Sequence, residues 1–239
     1  MVRGTITHPP QILDRDDASE RIRRAGIALF RARGYHGTSV RALAQIVGLE
    51  AASLYHHFPS KQEILYDIVD RTMDDMIDGL ARALGTAASF EERLRAAISS
   101  HVLFHVERQD EAFISHSELR SLTAPNRQRI NAKRDAYETR FRAFLSAGRK
   151  AGVFQMDDVR LTTIAVLVMC SGVSDWFVKR GRLSGGTVAD AYADMILRLL
   201  TPSGGSRSGE LSATRARSPV SRPRRARRSS GHPRLHTQA

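Results

Sequence analysis

Apolar residues recur every three to four positions along most of this chain, a spacing that is typical of one buried face of an α-helix. The pattern is clear from Ile22 to Ala32, resumes from Val40 to Val47, and is longest from Ile64 to Leu80. The apolar and polar alternation that indicates strands does not recur. The sequence therefore predicts an all-α protein.

Capping pairs and helix-breaking residues divide this pattern into nine helices. Gly34, Gly48 and Pro59 mark the ends of the first three. The capping pairs are Asp17/Glu20, Ser60/Glu63, Ser89/Glu92 and Thr187/Asp190. The predicted helices cover residues 18–33, 40–47 and 51–58, a long stretch between Ser60 and Gly85, and then 90–108, 110–122, 125–151, 158–181 and 187–200.

The longest apolar run, from Leu161 to Val178, has to be tested as a membrane span. It contains four hydroxyl residues and Asp175 within 18 residues, whereas a spanning helix needs about 20 mostly apolar residues. This length and polarity favour a buried helix of a soluble protein. No membrane is expected among the partners.

Charge is distributed unevenly over the 239 residues, whose formal net charge is +12. Residues 1–62 carry nine basic and five acidic side chains, and residues 63–202 carry nineteen of each. Residues 203–239 carry nine arginines and one glutamate. The positive ends favour a polyanionic partner, and the neutral centre indicates a different role.

The two ends of the chain also differ from its centre in composition. After Pro202 the sequence is dominated by Ser, Gly, Pro and Arg, so residues 203–239 are predicted to be a disordered tail. Residues 1–16 are predicted to form a flexible arm without a signal peptide. The single cysteine, Cys170, excludes a disulfide framework and a cysteine-based zinc site, and it indicates a cytoplasmic location.

Residues 28–65 read ALFRARGYHGTSVRALAQIVGLEAASLYHHFPSKQEIL, in which two short predicted helices are joined at Gly48 and flanked by longer ones. This arrangement is a helix-turn-helix unit. The Tyr35 to Thr38 step, the Leu-Ala pair of the second helix, Leu-Tyr-His-His-Phe and the following Ser-Lys resemble the DNA-binding domain of the TetR/AcrR family of bacterial transcriptional regulators. The resemblance implies a TetR-like fold, with a helix-turn-helix domain at residues 17–63 and a helical ligand-binding and dimerisation domain at residues 64–202.

The third predicted helix is expected to read an operator in double-stranded DNA, because recognition helices present their N-terminal residues to base edges. Arg41, from the preceding helix, can contact guanine through two hydrogen bonds. Tyr55 is either a phosphate contact or a packed aromatic residue. The candidate base readers are Ala51, Ala52, Ser53 and His56 together with Arg41, and the candidate phosphate contacts are Thr38, Ser39, Tyr55, His57 and Lys61.

One residue departs from the family pattern at the start of this helix. Many family members have Ser or Thr where this chain has Glu50. A carboxylate there repels phosphate unless it caps backbone amides or accepts from a cytosine amino group. The operator sequence is therefore not predicted.

The charge-balanced centre resembles the family's ligand-sensing domain, which implies an effector cavity between its helices. His101 and His105 lie four residues apart, so they either line that cavity or share a metal ion with Glu107, His116 or Glu118. The sequence fixes no third ligand, and neither a metal nor a cofactor is predicted. The candidate ligand-binding residues are His101, Phe104, His105, Arg134 and Trp176.

Residues 118–154 and the Asp-Trp-Phe at 175–177 weakly resemble the subgroup that senses acyl-coenzyme A thioesters. That resemblance implies a coenzyme A phosphate bound by basic residues of one helix, since Arg binds phosphate well. The alternative is a solvated helix face. The basic residues are Arg127, Arg129, Lys133, Arg134 and Arg140.

Residues 158–181 and 187–200 are more apolar than surface helices require. They either pair with those of a second subunit, giving a homodimer, or form a core within one chain. The leading interpretation is a homodimeric repressor that a small hydrophobic or acyl-coenzyme A effector releases from a palindromic operator. The alternative is an effector-independent or architectural DNA-binding protein whose basic tail dominates affinity. No catalytic constellation is recognised, so an enzyme is not expected.

Overall fold

Helices make up the whole of the described chain. The computed structural model describes residues 12–86 and 89–201, and within these ranges it has ten α-helices, one 3-10 turn and no strand. The prediction of an all-α fold is confirmed. The helices are α1 (Ile12–Arg33), α2 (Val40–Val47), α3 (Ala51–Leu54), α4 (Lys61–Thr86), α5 (Phe90–Glu107), α6 (Gln109–Ser117), α7 (Ala124–Lys150), α8 (Val159–Ser171), α9 (Val173–Trp176) and α10 (Gly185–Leu200), and the 3-10 turn is Leu119–Ser121.

Local capping fixes the helix-turn-helix. The Ser39 hydroxyl accepts from the Ala42 amide at 3.1 Å and starts α2. Gly48 ends α2 in the left-handed conformation, with φ of 70°, which glycine adopts at little cost. Leu43 and Leu54, both fully buried, hold α2 and α3 against α1 and α4.

Helix α4 connects the DNA-binding unit with the rest of the fold. At 26 residues it is about 39 Å long, given a rise of about 1.5 Å per residue. It packs on α1, and it also packs on α5, α6 and α7. Gly26 of α1 permits the close crossing, because a Cβ built there would lie 3.0 Å from Ile64 and 3.1 Å from Ile68.

Helix α5 is the centre of the regulatory bundle. It begins with a complete capping box, as predicted, in which Ser89 and Glu92 exchange hydrogen bonds. It packs against α4, α8 and α10, while α7 packs on α4 and α8. Cys170 is buried, and burial raises the pKa of its thiol to about 12, which suits a structural thiol and not a reactive one.

Several helix boundaries differ from the sequence prediction. Helix α1 begins at Ile12, so the Asp17/Glu20 pair lies inside it and does not cap it. The chain has no glycine or proline between Pro10 and Gly26 to stop a helix. Helix α10 is capped by the Ser184 hydroxyl, which accepts from the Thr187 amide at 3.0 Å, and it starts before the predicted Thr187/Asp190 pair.

Three predicted helices are shorter or divided. The predicted 51–58 helix ends at Leu54, because a turn follows before Pro59. The predicted 110–122 helix consists of α6 and the 3-10 turn. The predicted 158–181 helix is divided at Gly172 and ends at Trp176. The remainder of the predicted arm, residues 1–11, and the predicted tail, residues 203–239, lie outside the described residues.

Within the described ranges, one stretch is apolar and long enough to span a membrane by composition, Val159–Trp176. This stretch is divided into α8 and α9, and only 22% of it is buried. It is therefore not the buried helix that the sequence predicts. Leu161, Ile164 and Val168 are exposed instead. The apolar excess of this segment therefore lies on the surface of the subunit.

Candidate DNA interface and effector cavity

The helix-turn-helix presents a mostly exposed set of the predicted DNA-contacting residues. Because the buried Leu54 points into the core, the other sides of α3 face outward. Tyr55 is 49% exposed, so packing is not its main role. The exposed residues of the predicted set are Ser39, Arg41, Ala52, Tyr55 and His56, and the partly exposed ones are Ala51, Ser53, His57 and Lys61.

Thr38 is the exception among the predicted phosphate contacts. Its side chain is buried at 2% exposure, and its hydroxyl donates to the Gly34 carbonyl at 2.9 Å. The hydroxyl therefore stabilises the turn after α1, and this corrects the expectation that it faces a phosphate. Glu50 at the N-cap position of α3 makes no side-chain capping bond and is exposed. Capping of amides thus does not explain the carboxylate at this position.

Lys61 closes the loop between α1 and α2. Its ammonium group donates to the carbonyls of Tyr35 at 2.8 Å and Thr38 at 2.7 Å, and it lies 4.1 Å from the centre of the Tyr35 ring. Burial lowers the pKa of Lys61, and the Glu118 carboxylate opposes that shift. An ammonium group has three N–H donors, so one remains for a phosphate.

A hydrogen-bonded link joins this DNA-binding unit to the regulatory bundle, and no pattern in the sequence indicated it. Glu118, just after α6, accepts from the Tyr35 amide at 3.1 Å and from the Ser121 hydroxyl at 2.7 Å. Gln62 of α4 donates to the Tyr35 hydroxyl at 2.9 Å and to the Ser121 carbonyl at 3.0 Å. It also accepts from the Thr123 amide at 2.7 Å. We call these residues the Tyr35 link.

Two adjoining cavities lie between the helices of the bundle. The outer groove, between α4 and α5, has a volume of about 650 Å³, and the inner cavity has a volume of about 180 Å³. Both are lined by Met76, His101 and Tyr137. The volume of the outer groove is typical of small-molecule sites, which occupy roughly 300–1,000 Å³.

Histidines form one wall of the inner cavity. His101 is hydrogen-bonded through Nδ1 to the Tyr137 hydroxyl at 2.7 Å and through Nε2 to the Ser171 hydroxyl at 3.0 Å. The His105 ring stacks on it at 4.5 Å and on His116 at 6.0 Å. Burial lowers the pKa of His101 well below its usual value and that of His105 to about 4. Both imidazoles are therefore neutral at physiological pH.

These contacts favour the cavity-lining interpretation of His101 and His105 over the metal interpretation. Both ring nitrogens of His101 already have hydrogen-bond partners. The Nδ1 of His105 donates to the His101 carbonyl at 2.9 Å. In the described part of the chain no three metal-ligating side chains come together.

Four of the five predicted ligand-binding residues line a cavity. His101 and Phe104 line the outer groove, and His101, His105 and Arg134 line the inner cavity. Trp176 does not, because α9 places it at 49% exposure beside Tyr192, with 6.5 Å between the ring centres. Sequence reasoning missed many further lining residues, among them Met76, Arg82, Arg108, Tyr137 and Ser171.

The basic helix does not bring its cations together at the groove. Lys133 is paired with Asp70 at 2.6 Å and Asp74 at 2.7 Å. The Arg129 guanidinium lies 5.9 Å from the ring centre of Tyr66. The outer groove is lined by Arg82 and Arg108 instead. This placement favours the alternative of a solvated helix face for Arg127, Arg129, Lys133 and Arg140, none of which lines either cavity.

Large apolar side chains remain uncovered on both α8 and α10, and we call them together the uncovered apolar surface. They are Leu161, Ile164 and Val168 on α8 and Met195 and Leu199 on α10, which are 39% to 66% exposed. Such large apolar side chains on two helices are typical of an interface between proteins.

Two family models match the chain. The one described as bacterial regulatory proteins, tetR family, matches residues 22–68, and the tetracyclin repressor-like C-terminal domain matches residues 87–200. The transcriptional activator FasR of Mycolicibacterium smegmatis is 33% identical over 88 residues, which are 37% of this chain and 40% of FasR. The transcriptional repressor KstR2 of Rhodococcus jostii is 26% identical over 171 residues, which are 71% of this chain and 84% of KstR2.

Solved structures agree with these matches. The TetR family transcriptional regulator PfmR from Thermus thermophilus is 38% identical, with a TM-score of 0.70 over 74% of this chain and 97% of PfmR. AibR, solved in complex with isovaleryl coenzyme A and operator DNA, is 27% identical, with a TM-score of 0.67 over 77% of this chain and 98% of AibR. Together, the fold and these relatives define a helix-turn-helix transcriptional regulator.

The chain belongs to the TetR family. The predicted resemblance is thereby confirmed, and so is the prediction of a regulator instead of an enzyme, since these relatives are transcriptional regulators.

Proposed function

We propose that this protein is a homodimeric repressor that leaves its operator when a small acyl-coenzyme A type effector enters the bundle. The observation that supports the proposal is the position of the C-terminal end of α6, between the inner cavity and the DNA-binding unit. Ser115 and His116 at its end line the inner cavity, and Glu118 directly afterwards accepts from the Tyr35 amide of the DNA-binding unit. A ligand that displaces the end of α6 would therefore act on the helix-turn-helix through the Tyr35 link.

The DNA contacts follow from the exposed residues of α2, α3 and the turn after α3. Arg41, Ser53 and His56, with methyl contacts from Ala51 and Ala52, are assigned to base edges. Ser39, Tyr55, His57 and the remaining donor of Lys61 are assigned to phosphates, which position the protein without reading sequence. Thr38 supports this surface from inside.

The effector class rests on the two cavities and on one relative. The outer groove is lined by Arg82 and Arg108, cations of the type that bind phosphate groups, and Arg108 is also paired with Asp75 and Glu111. The inner cavity adds an apolar wall that includes Met73, Ala112 and Leu167. AibR, with a similar fold, was solved with isovaleryl coenzyme A. We assign the nucleotide part of a thioester to the outer groove and its acyl group to the inner cavity.

The uncovered apolar surface of α8 and α10 is assigned to the dimer. Helix-turn-helix dimers bind two half-sites about one helical turn apart or at multiples of that distance. An isologous interface uses the same patch on both subunits, so one exposed apolar surface is enough to form it.

The test is an anisotropy titration of a labelled operator duplex, first obtained by selecting tight-binding sequences from a random DNA pool. We expect butyryl-, hexanoyl- or octanoyl-coenzyme A to weaken operator binding at least tenfold, and coenzyme A alone to have a smaller effect. Lys61→Ala should weaken binding to all duplexes and reduce the salt slope by roughly one per subunit, whereas Arg41→Ala should lose discrimination at particular base pairs. No selected sequence, or an operator affinity that no thioester changes, would contradict the proposal.

A further inference from the structure

One lining residue of the inner cavity is a hydrogen-bonded cation that has no counter-ion among the described residues. Arg134 of α7 lines the cavity and donates to the Ser115 carbonyl at 2.7 Å, and it lies 3.4 Å from Nδ1 of His116. Among the described residues, no carboxylate oxygen lies within 4 Å of its guanidinium. Glu138, one turn further along α7, lines the same cavity but is paired with Arg142 at 3.3 Å.

A negatively charged ligand would complete this arrangement. A guanidinium remains charged in proteins, and a charge removed from water is stabilised by an opposite charge or by hydrogen bonds. Arg134 is partly buried, and this burial lowers its pKa. Asp175 is near enough for its negative charge to raise the pKa of His105 and His116, but it is exposed on α9 and does not line the cavity.

A second, independent feature lies at the same place. Ser115 is 4% exposed, and its hydroxyl has no hydrogen-bond partner although it is buried. Buried hydroxyl groups are nearly always hydrogen-bonded, so this hydroxyl calls for a polar partner, which beside a cavity is either water or a ligand atom. Ser115 and Arg134 line one cavity and are in direct contact through the Ser115 carbonyl.

The rest of the inner cavity suits a carbon chain. Met73, Met76, Ala112 and Leu167 contribute apolar lining. Met76, His101 and Tyr137 line both cavities, whereas Arg134 lines only the inner one. A plain hydrocarbon end would supply neither a negative charge for the guanidinium nor a hydrogen-bond partner for the Ser115 hydroxyl, which disfavours binding.

We propose that Arg134 and Ser115 bind a carboxylate at the far end of the effector's acyl group, so that the preferred effector is the coenzyme A monothioester of a dicarboxylic acid. The guanidinium donates to the carboxylate oxygens, and the Ser115 hydroxyl donates the hydrogen bond that it lacks. This inference rests on the proposed thioester function and adds the identity of the acyl end.

Matched thioester pairs test the inference by calorimetry or by operator release. The pairs are succinyl- and butyryl-, adipyl- and hexanoyl-, and suberyl- and octanoyl-coenzyme A, which differ in the terminal carboxylate. We expect the carboxylated partner of at least one pair to bind wild type tenfold to a hundredfold more tightly. Arg134→Gln should reduce that ratio to about one, and Ser115→Ala should reduce it in part. Arg140→Gln, on an exposed position of the same helix, is the matched control and should keep the ratio.

The outcomes separate this inference from the proposed function. Binding of the uncharged thioesters as tightly as their carboxylated partners would overturn the carboxylate assignment and leave the thioester effector intact. Failure of all six thioesters to bind would overturn both. If Arg134→Gln does not fold, as judged by circular dichroism, the wild-type ratios and Ser115→Ala still decide, because an unchanged ratio in Ser115→Ala refutes its assigned contact.

Discussion

The buried imidazole of His105 makes the stability of the bundle depend on pH. His105 is 1% exposed, and burial, the largest effect on it, lowers its pKa from 6.5 to about 4. The unfolded chain binds a proton at this residue below pH 6.5, whereas the folded chain does so only near pH 4. The folded state therefore loses stability as the pH falls from 6.5 towards 4.

The size of this effect follows from the shift. One pKa unit corresponds to about 1.4 kcal/mol, so the full loss from this residue is about 3 kcal/mol, of which about 2 kcal/mol is reached at pH 5. His105→Asn removes the titrating group, and its amide can still donate to the His101 carbonyl in place of Nδ1. The variant should therefore lose about 2 kcal/mol less than wild type between pH 7.5 and pH 5.

Urea unfolding at both pH values measures this difference. Protein concentration must be the same throughout, because the stability of a dimer depends on it. If the free energy of unfolding falls with urea concentration at the same slope in both proteins, both expose the same amount of surface on unfolding. Equal losses of stability in wild type and His105→Asn would refute the claim that the fold keeps this imidazole neutral.

Two further predictions concern assembly and DNA affinity. Val168→Glu places a charge in the uncovered apolar surface, where Val168 is 66% exposed, and should give monomers in light scattering with little operator affinity; a dimer with full affinity would contradict the assigned interface. Truncation after Pro202 removes nine arginines and one glutamate, so binding to operator and random duplexes should weaken equally, and more at low salt. Unchanged affinity at two salt concentrations would mean that this segment has no part in DNA binding.

Local signals explain why the DNA-binding unit could be predicted from the sequence. Ser39 and Gly48 cap α2 through contacts within a few residues, so their roles are visible in sequence spacing. The prediction that Thr38 contacts DNA is wrong because the residue is buried by the turn after α1, where its hydroxyl donates to the Gly34 carbonyl. Side-chain direction in a turn does not follow from helical periodicity.

The cavity was predictable in part for a similar reason. The spacing of His101 and His105 places them on one face of α5, as the structure shows. The hydrogen-bond partners of His101, Tyr137 and Ser171, are 36 and 70 residues away from it, and no local pattern indicates such contacts. Trp176 is a cavity candidate only through the resemblance of Asp-Trp-Phe at 175–177 to the acyl-coenzyme A subgroup, and the division of the helix at Gly172 leaves it exposed on α9.

The Tyr35 link offers a direct test of how the bundle and the DNA-binding unit are connected. The Glu118 carboxylate accepts a hydrogen bond from the Tyr35 amide, with 3.1 Å between nitrogen and oxygen. A hydrogen bond to a charged group contributes about 1.5–3 kcal/mol. Glu118→Ala removes this acceptor and the one used by the Ser121 hydroxyl. The Tyr35 amide should then exchange with solvent roughly tenfold to a hundredfold faster, because less free energy is needed to open it.

Residue-resolved hydrogen exchange measures that change, and operator affinity reports its consequence. Asp190→Ala, which removes an exposed carboxylate of α10, is the matched control and should leave the Tyr35 amide protected. If Glu118 holds the turn between α1 and α2 in place, Glu118→Ala should also weaken operator binding, because Arg41 and Lys61 are positioned by that turn. Faster exchange with unchanged operator affinity would show that the contact stabilises the turn without controlling DNA binding, and unchanged exchange would refute the link itself.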